Sequence, residues 1–189
     1  MLGPVLEGAH VRLEPPVAEH LALLARWYAD PVVTRELPSR FPLRFNERWL
    51  DELALNHTDI MWVMVAKQSG APVGAMSLYA INWQHRHAWI GALVGERPYW
   101  GQGQATEAGR LIADFAFLEL GFEKLILQTA TGNGAARRVA EKIGFRQSGV
   151  LRHHRFFEGR WHDDWLGELL REDHARRPRG RRQSPALGD

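Results

Sequence analysis

The sequence contains no cysteine, which removes disulfide bridges, thiolate metal ligands and a thiol nucleophile together. No stretch approaches the roughly 18–20 consecutive apolar residues that a membrane-spanning helix needs. The first sixteen residues, MLGPVLEGAHVRLEPP, lack the charged-then-apolar order of a secretory signal. These absences set the expectation of a soluble cytoplasmic protein without membrane contact. No Gly-Lys-Ser or Gly-Lys-Thr is present, so a phosphate loop of the NTPase kind is excluded. There is no His-x-x-x-His and no acidic cluster at ligand spacing, so no metal is expected.

What remains is an ordinary globular composition, 45% hydrophobic and 24% charged over 189 residues. That length suits one domain with a core of its own. The net charge of +2 is unevenly placed: residues 171–189 carry six arginines against three carboxylates, and the rest is close to neutral. We divide the chain into a domain over 1–171 and a basic, flexible tail over 172–189. Arginine-rich ends of this kind are mostly solvated, with nucleic-acid contact through phosphate attraction as the less favoured reading.

Hydrophobic spacing predicts a strand over 10–14, ending at Pro15-Pro16, and a helix over 17–29 with Leu21, Leu24 and Tyr28 on one face. A proline-bearing loop over 31–44 follows. Asn46 suits the N-cap of a second helix reaching about residue 56. Strands are predicted over 60–67, 72–81 and 87–94, the first two joined by a tight turn. A long amphipathic helix over 105–120 comes next, then a strand over 124–130. The helix over 133–143 closes at Gly144. Two further strands cover 145–152 and 161–170. The order implies α/β architecture in three layers, α/β/α, with helices packed on a mixed sheet.

The stretch Trp100-Gly101-Gln102-Gly103-Gln104-Ala105-Thr106-Glu107 lies between a strand and the start of the long helix. There the unpaired N–H groups and the positive end of the helix dipole converge. Small residues let an anion approach the backbone, so Gly101, Gly103 and Ala105 suit a phosphate cradle. A tight turn without a ligand fits the same residues about equally well. The dinucleotide fingerprint fails, because Thr106 stands where it requires a third small residue.

The run Pro98–Ala108 resembles the acetyl-CoA pyrophosphate motif of GNAT acetyltransferases. Its Trp-Gly-x-Gly-x-Ala-Thr-Glu-Ala form is similar to the ribosomal-protein N-terminal acetyltransferase branch, the RimJ/RimL type. Asn133–Phe145, NGAARRVAEKIGF, is similar to a second motif of that branch. Leu6–Pro15 resembles its first strand, and the stretches 149–152 and 159–164 resemble its closing hairpin. The likeness runs in order from about residue 5 to 171.

The resemblance implies a mostly antiparallel sheet with a central strand splay and acetyl-CoA as co-substrate. It also implies transfer of the acetyl group to a primary amine, either a protein N-terminus or a small molecule. Backbone groups of Val94 and Gly95 would hold the pantetheine arm and thioester, with the Val94 N–H as oxyanion donor. Trp100 and Gly101 belong to the cofactor motif, and Gln102, Gly103, Gln104, Ala105 and Thr106 would give N–H groups to the pyrophosphate. Asn133 would meet the pantetheine arm and Arg138 the nucleotide's phosphate; a helix cap and a solvated helix face are their plain readings. By the same likeness, the first two helices and the loop 31–44 form the acceptor wall.

The attacking amine must be neutral, and a lysine amine titrates near 10.4 whereas an α-amine titrates near 7.7–8.0. A base or a carboxylate-held water is therefore expected. Candidates are Glu96, His153, His154, Glu158 and Asp163, the last also readable as a structural ion pair. His153 and His154, adjacent on a strand, would face opposite sides. One departure stands out. The family often places a serine three residues after this asparagine, or a tyrosine seven after it, and Ala136 and Ala140 stand there. A CoA-binding module without catalysis is the alternative that follows. Eight tryptophans leave room for a homodimer, and Trp83 with His85–His87 either caps the cleft or turns the chain.

Overall fold

In the computed structural model, residues 2–37 and 45–176 are described. Eight strands form one sheet in the order β1-β2-β3-β4-β5-β6-β8-β7. They are β1 (Leu6–Glu7), β2 (Val11–Glu14), β3 (Ile60–Ala66), β4 (Ala71–Asn82), β5 (His87–Val94), β6 (Lys124–Ala130), β7 (Arg146–Phe157) and β8 (Arg160–Leu170). Every neighbouring pair is antiparallel except β5 and β6. The helices are α1 (Leu21–Ala29), α2 (Glu47–Leu55), α3 (Gln104–Asp114), α4 (Gly134–Ile143) and α5 (Arg171–Ala175).

Period-2 alternation sorts side chains onto the two faces of the sheet. Ile60, Trp62 and Met64 of β3 join Ala108 and Ile112 of α3 and Ala140 and Ile143 of α4 in the larger core. Met61, between them, faces the opposite way with Ala75 and Leu93, beneath Leu24 and Trp27 of α1 and Leu53 of α2. The three-layer, mostly antiparallel arrangement expected from the sequence is the one observed.

Local signals set the start of α2 and both ends of α4. The Asn46 side chain accepts from the Trp49 N–H at 2.9 Å and starts α2. Gly144 takes the left-handed conformation, φ 118°, and stops α4. Three features went beyond the sequence reading. Leu6–Glu7 adds a short strand to the edge. The long helix widens into a π turn over Phe115–Glu119, where the Leu120 N–H reaches the Phe115 carbonyl. The basic end begins with α5, whose His174 bonds to Asp114 at 2.8 Å and whose Asp173 pairs with Arg146. Residues 38–44 of the proline-bearing loop and residues 177–189 of the tail lie outside the described residues.

Candidate active site

The parallel pairing of β5 with β6 covers three positions only, His87 with Lys124, Ala88 with Leu125 and Trp89 with Ile126. Beyond them the two strands part, leaving a gap through the middle of the sheet. Backbone geometry directs one strand's polar groups into it. Gly74 and Val94 oppose each other on β4 and β5, and across that pair the Gly95 N–H bonds to the Val73 carbonyl at 2.9 Å. This pattern marks a non-hydrogen-bonded pair, whose own N–H and C=O turn outward from the ladder. Val94 therefore aims both groups away from β4, toward β6. Its carbonyl accepts the Trp100 indole N–H at 2.8 Å. No described residue accepts its N–H.

A bulge of β4 against β3 lies next to this pair. Met64 pairs with Gly74 while Val65 pairs with Pro72, so Val73 is an extra residue. Its carbonyl receives both the Gly95 and Glu96 N–H groups. Gly95 is thus without a free N–H, although the family resemblance groups it with Val94 as a holder of the pantetheine arm. Glycine is required there for another reason: a Cβ would fall inside the Trp27 ring.

From the end of β5 a short 3-10 turn, Arg97–Tyr99, leads to the glycine turn and α3. Gly101 and Gly103 take positive φ, 76° and 93°, with open space where a Cβ would stand. The Gln102 N–H is used by the Tyr99 carbonyl and the Thr106 N–H by the Gly103 carbonyl. Those two of the expected donors are thus engaged. Gly101, Gly103, Gln104 and Ala105 keep N–H groups with no acceptor among the described residues. Four free amides at the mouth of an eleven-residue helix, with nothing filling the space above, suit a diphosphate. Beside them a cleft of about 400 Å³ is lined by Gln102, Gly103, Thr106, Arg110 and Lys142 together with His10 and Glu107. The sequence does not single out Arg110 or Lys142, which meet only in the fold, where Arg110 donates to the Lys142 carbonyl at 2.9 Å. Glu107 accepts from the His10 backbone and faces its ring, tying β2 to α3.

Asn133 uses both ends of its amide internally. Its oxygen accepts from the Ala136 N–H at 3.0 Å, and its nitrogen donates to Thr129 at 3.1 Å. It joins the end of β6 to the start of α4. Arg138 is exposed on α4. Ala140 is fully buried, and Ala136 partly so.

The base candidates are scattered; His154 is exposed on β7, and the others are engaged. Glu96 forms an ion pair with Arg26 and accepts the Trp27 indole N–H at 2.9 Å. Asp163 accepts the His153 backbone N–H at 2.8 Å. Glu158 pairs with Arg35 at 3.1 Å. His153 sits in a bulge with φ 50°, stacked near Trp161, so the regular alternation expected for His153 and His154 is broken there. Trp83 packs on Phe122 and donates to the His57 carbonyl, closing the β4–β5 turn. The ion pair considered for Asp163 belongs to its neighbour. Asp164, with no exposed surface, is held by Arg155 at 2.8 Å and by Gln128. Among the described residues no three His, Asp or Glu side chains cluster as metal ligands.

Residues 10–146 match the acetyltransferase (GNAT) domain family. An uncharacterised N-acetyltransferase of Bacillus licheniformis is 23% identical over 162 residues, covering 83% of this chain and 90% of that protein. The spermidine N(1)-acetyltransferase of Escherichia coli K12 is 33% identical over 97 residues, 51% of this chain and 52% of that protein. This chain therefore spans about half the length of the spermidine relative. The crystal structure of spermidine N-acetyltransferase from Vibrio cholerae in complex with CoA and spermine matches with a TM-score of 0.81 at 20% identity. That match covers 89% of this chain and 99% of the other. At that identity the likeness is one of fold. A family match over most of the chain, on a sheet that splays beside a helix mouth of free amides, decides the matter: the chain belongs to the GNAT acetyltransferases, enzymes that draw the transferred group from acetyl-CoA.

Proposed function

We propose that the protein acetylates a primary α-amine, on a protein N-terminus or on a small molecule, by direct attack of the amine on the thioester of acetyl-CoA. The observation that carries this reading is the line from the free amides of Gly101, Gly103, Gln104 and Ala105 to the outward Val94 N–H. In this reading those amides hold the diphosphate, and the cleft with Arg110 and Lys142 takes the nucleotide end. The pantetheine arm lies in the gap, Asn133 keeps α4 against its rim, and the Val94 N–H donates to the oxygen that gains charge as the amine adds. The C–S bond then breaks, and the thiolate takes a proton from solvent, since Ala136 and Ala140 offer none. Arg138, exposed on α4, remains a candidate contact for a phosphate.

The spermidine relatives suggest a polyamine as acceptor, and the Trp-Gly-x-Gly-x-Ala-Thr-Glu-Ala motif suggests the ribosomal-protein branch. The ion pairs around α1 favour the latter. A polycation asks for carboxylates at liberty to meet it. On the α1 side of the gap Glu96 is paired with Arg26, Asp30 with Arg97, Glu158 with Arg35 and Asp164 with Arg155. An α-amine, titrating near 7.7–8.0, also needs less help from a base than a side-chain amine near 10.4. Glu96 and Asp163 remain the candidates for ordering a water that removes the proton.

The alanines at 136 and 140 favour one other reading, a module that binds acetyl-CoA without turnover. An acceptor panel containing α-amino peptides, amino acids and polyamines, followed by thiol release and product mass, separates them. Turnover of α-amines above polyamines is the expected result. Tight acetyl-CoA binding with no thiol released across the panel would leave the module.

A further inference from the structure

The most deeply buried charges of the described residues lie on the acceptor face of the gap, and the transfer chemistry does not use them. Asp164 has no exposed surface and Arg155 only 8%. The pair is bidentate: the Arg155 Nε meets one carboxylate oxygen at 3.0 Å and a terminal nitrogen meets the other at 2.8 Å. Gln128 donates to the second oxygen at 2.5 Å. The remaining Arg155 nitrogen donates to two carbonyls of the chain leaving α1, Glu36 at 2.8 Å and Leu37 at 3.0 Å.

The placement of these groups gives the cluster a direction. Leu125 of β6 and Trp165 and Leu169 of β8 lie in the α3–α4 core. By alternation Gln128 and Asp164 face the α1 side. Gln128 also lies on the stretch of β6 that has already parted from β5, so it stands at one rim of the gap. At the other rim, Gly95 packs under Trp27, and Glu96 holds Arg26 and Trp27 of α1. From α1 the chain runs through Asp30, which bonds the Val32 N–H and whose carbonyl binds Thr34, to Glu36 and Leu37.

We infer that Arg155, fixed by Asp164 and Gln128, straps the segment after α1 across the acceptor face of the splay and so sets the width of the amine's entrance. The inference rests on the transferase reading of the gap, and its residues are positioning residues. A hydrophobic residue in place of Arg155 would pack but could not hold two carbonyls. A lysine would keep the charge and lose the planar fork that reaches the carboxylate and the carbonyls together.

The test uses Arg155→Lys and the double replacement Arg155→Met with Asp164→Leu, because removing one partner of a buried pair strands the other charge whereas an apolar pair restores the packing. Two readouts are taken: amide exchange of residues 31–37, and separate KM values for amine and acetyl-CoA. We expect exchange over 31–37 to rise at least tenfold in both variants while residues 104–114 stay protected. The amine KM should rise at least tenfold with the acetyl-CoA KM within twofold. Unchanged exchange over 31–37 overturns the strap. Faster exchange with an unmoved amine KM overturns its role at the entrance, and so does a parallel rise in both KM values. A wild-type protein that binds acetyl-CoA and acetylates no amine would instead sink the transferase reading, and the exchange readout then decides the strap alone.

Discussion

Replacing Gly103 with glutamate separates a ligand effect from a folding effect. A Cβ at Gly103 meets nothing within 4 Å, so the side chain has room and the core is not disturbed. The cost to the fold is conformational: φ is +93°, and holding a non-glycine residue in the left-handed region costs about 1–2 kcal/mol. For a domain of this size that lowers Tm by about 2–8 °C. The cost to binding is larger. The new carboxylate would stand in the space above the free amides, within about 4 Å of a phosphate charge. At an effective dielectric near 20 such a repulsion amounts to about 4 kcal/mol. The position is exposed, so screening trims it, but the anion also loses charge-assisted bonds worth about 1.5–3 kcal/mol each. A weakening of at least about 100-fold follows, read by isothermal titration with acetyl-CoA. Gly121→Glu is the control, since Gly121 also has positive φ, 68°, and open space, at the other end of the helix. It should lose similar stability and keep its affinity. Wild-type affinity in Gly103→Glu would refute the cradle.

Three further outcomes follow from the same structure. Asn46→Ala removes the acceptor for the Trp49 N–H and should cost about 1 kcal/mol, a fall of about 2–4 °C in a thermal melt. The Arg97 guanidinium, with the Val32 N–H, holds the Asp30 carboxyl below the usual carboxylate range. Because the folded state favours the ionised form, this contribution is present above the unfolded pKa and lost as pH falls through the lower folded one. Arg97→Met should move the Asp30 titration upward, measured by carboxylate NMR; an unmoved titration would show that Arg97 is not the cause. Burial pushes the Tyr28 phenol up to about 12 and raises that of Tyr79. The unfolded chain therefore loses this proton first, and stability falls with rising pH between about 10 and 12. Of the three tyrosines, the last phenolate to appear in the ultraviolet titration should vanish in Tyr28→Phe.

Some of this protein was legible in its residues alone because the forces involved act within a few positions. The limits of β5 and β6 follow from β-branched and aromatic alternation ended by polar turns. Asn46, Asn133 and Gly144 cap helices through bonds that span three or four residues. The glycine turn before α3 is local in the same sense, since positive φ and absent side chains are properties of Gly101 and Gly103 themselves.

Direction and pairing across the fold were not legible. That Val94 aims its N–H into the gap depends on the register of β4 against β5, in which Gly74 and Val94 form a non-hydrogen-bonded pair. Asp163 and Asp164 are neighbours, and alternation says only that they face opposite sides. Arg155, together with Gln128 from 36 residues away, decides which is the buried ion. The carbonyls that Arg155 holds lie 118 and 119 residues from it. Periodicity records which face a side chain takes, whereas the partner it meets on that face is chosen by chain segments brought together only when the sheet assembles. The sequence by itself thus determined most of the elements, the caps of α2 and α4 and the glycine turn before α3. The tertiary structure decided where the sheet opens, which amides stay free and which carboxylates are already neutralised.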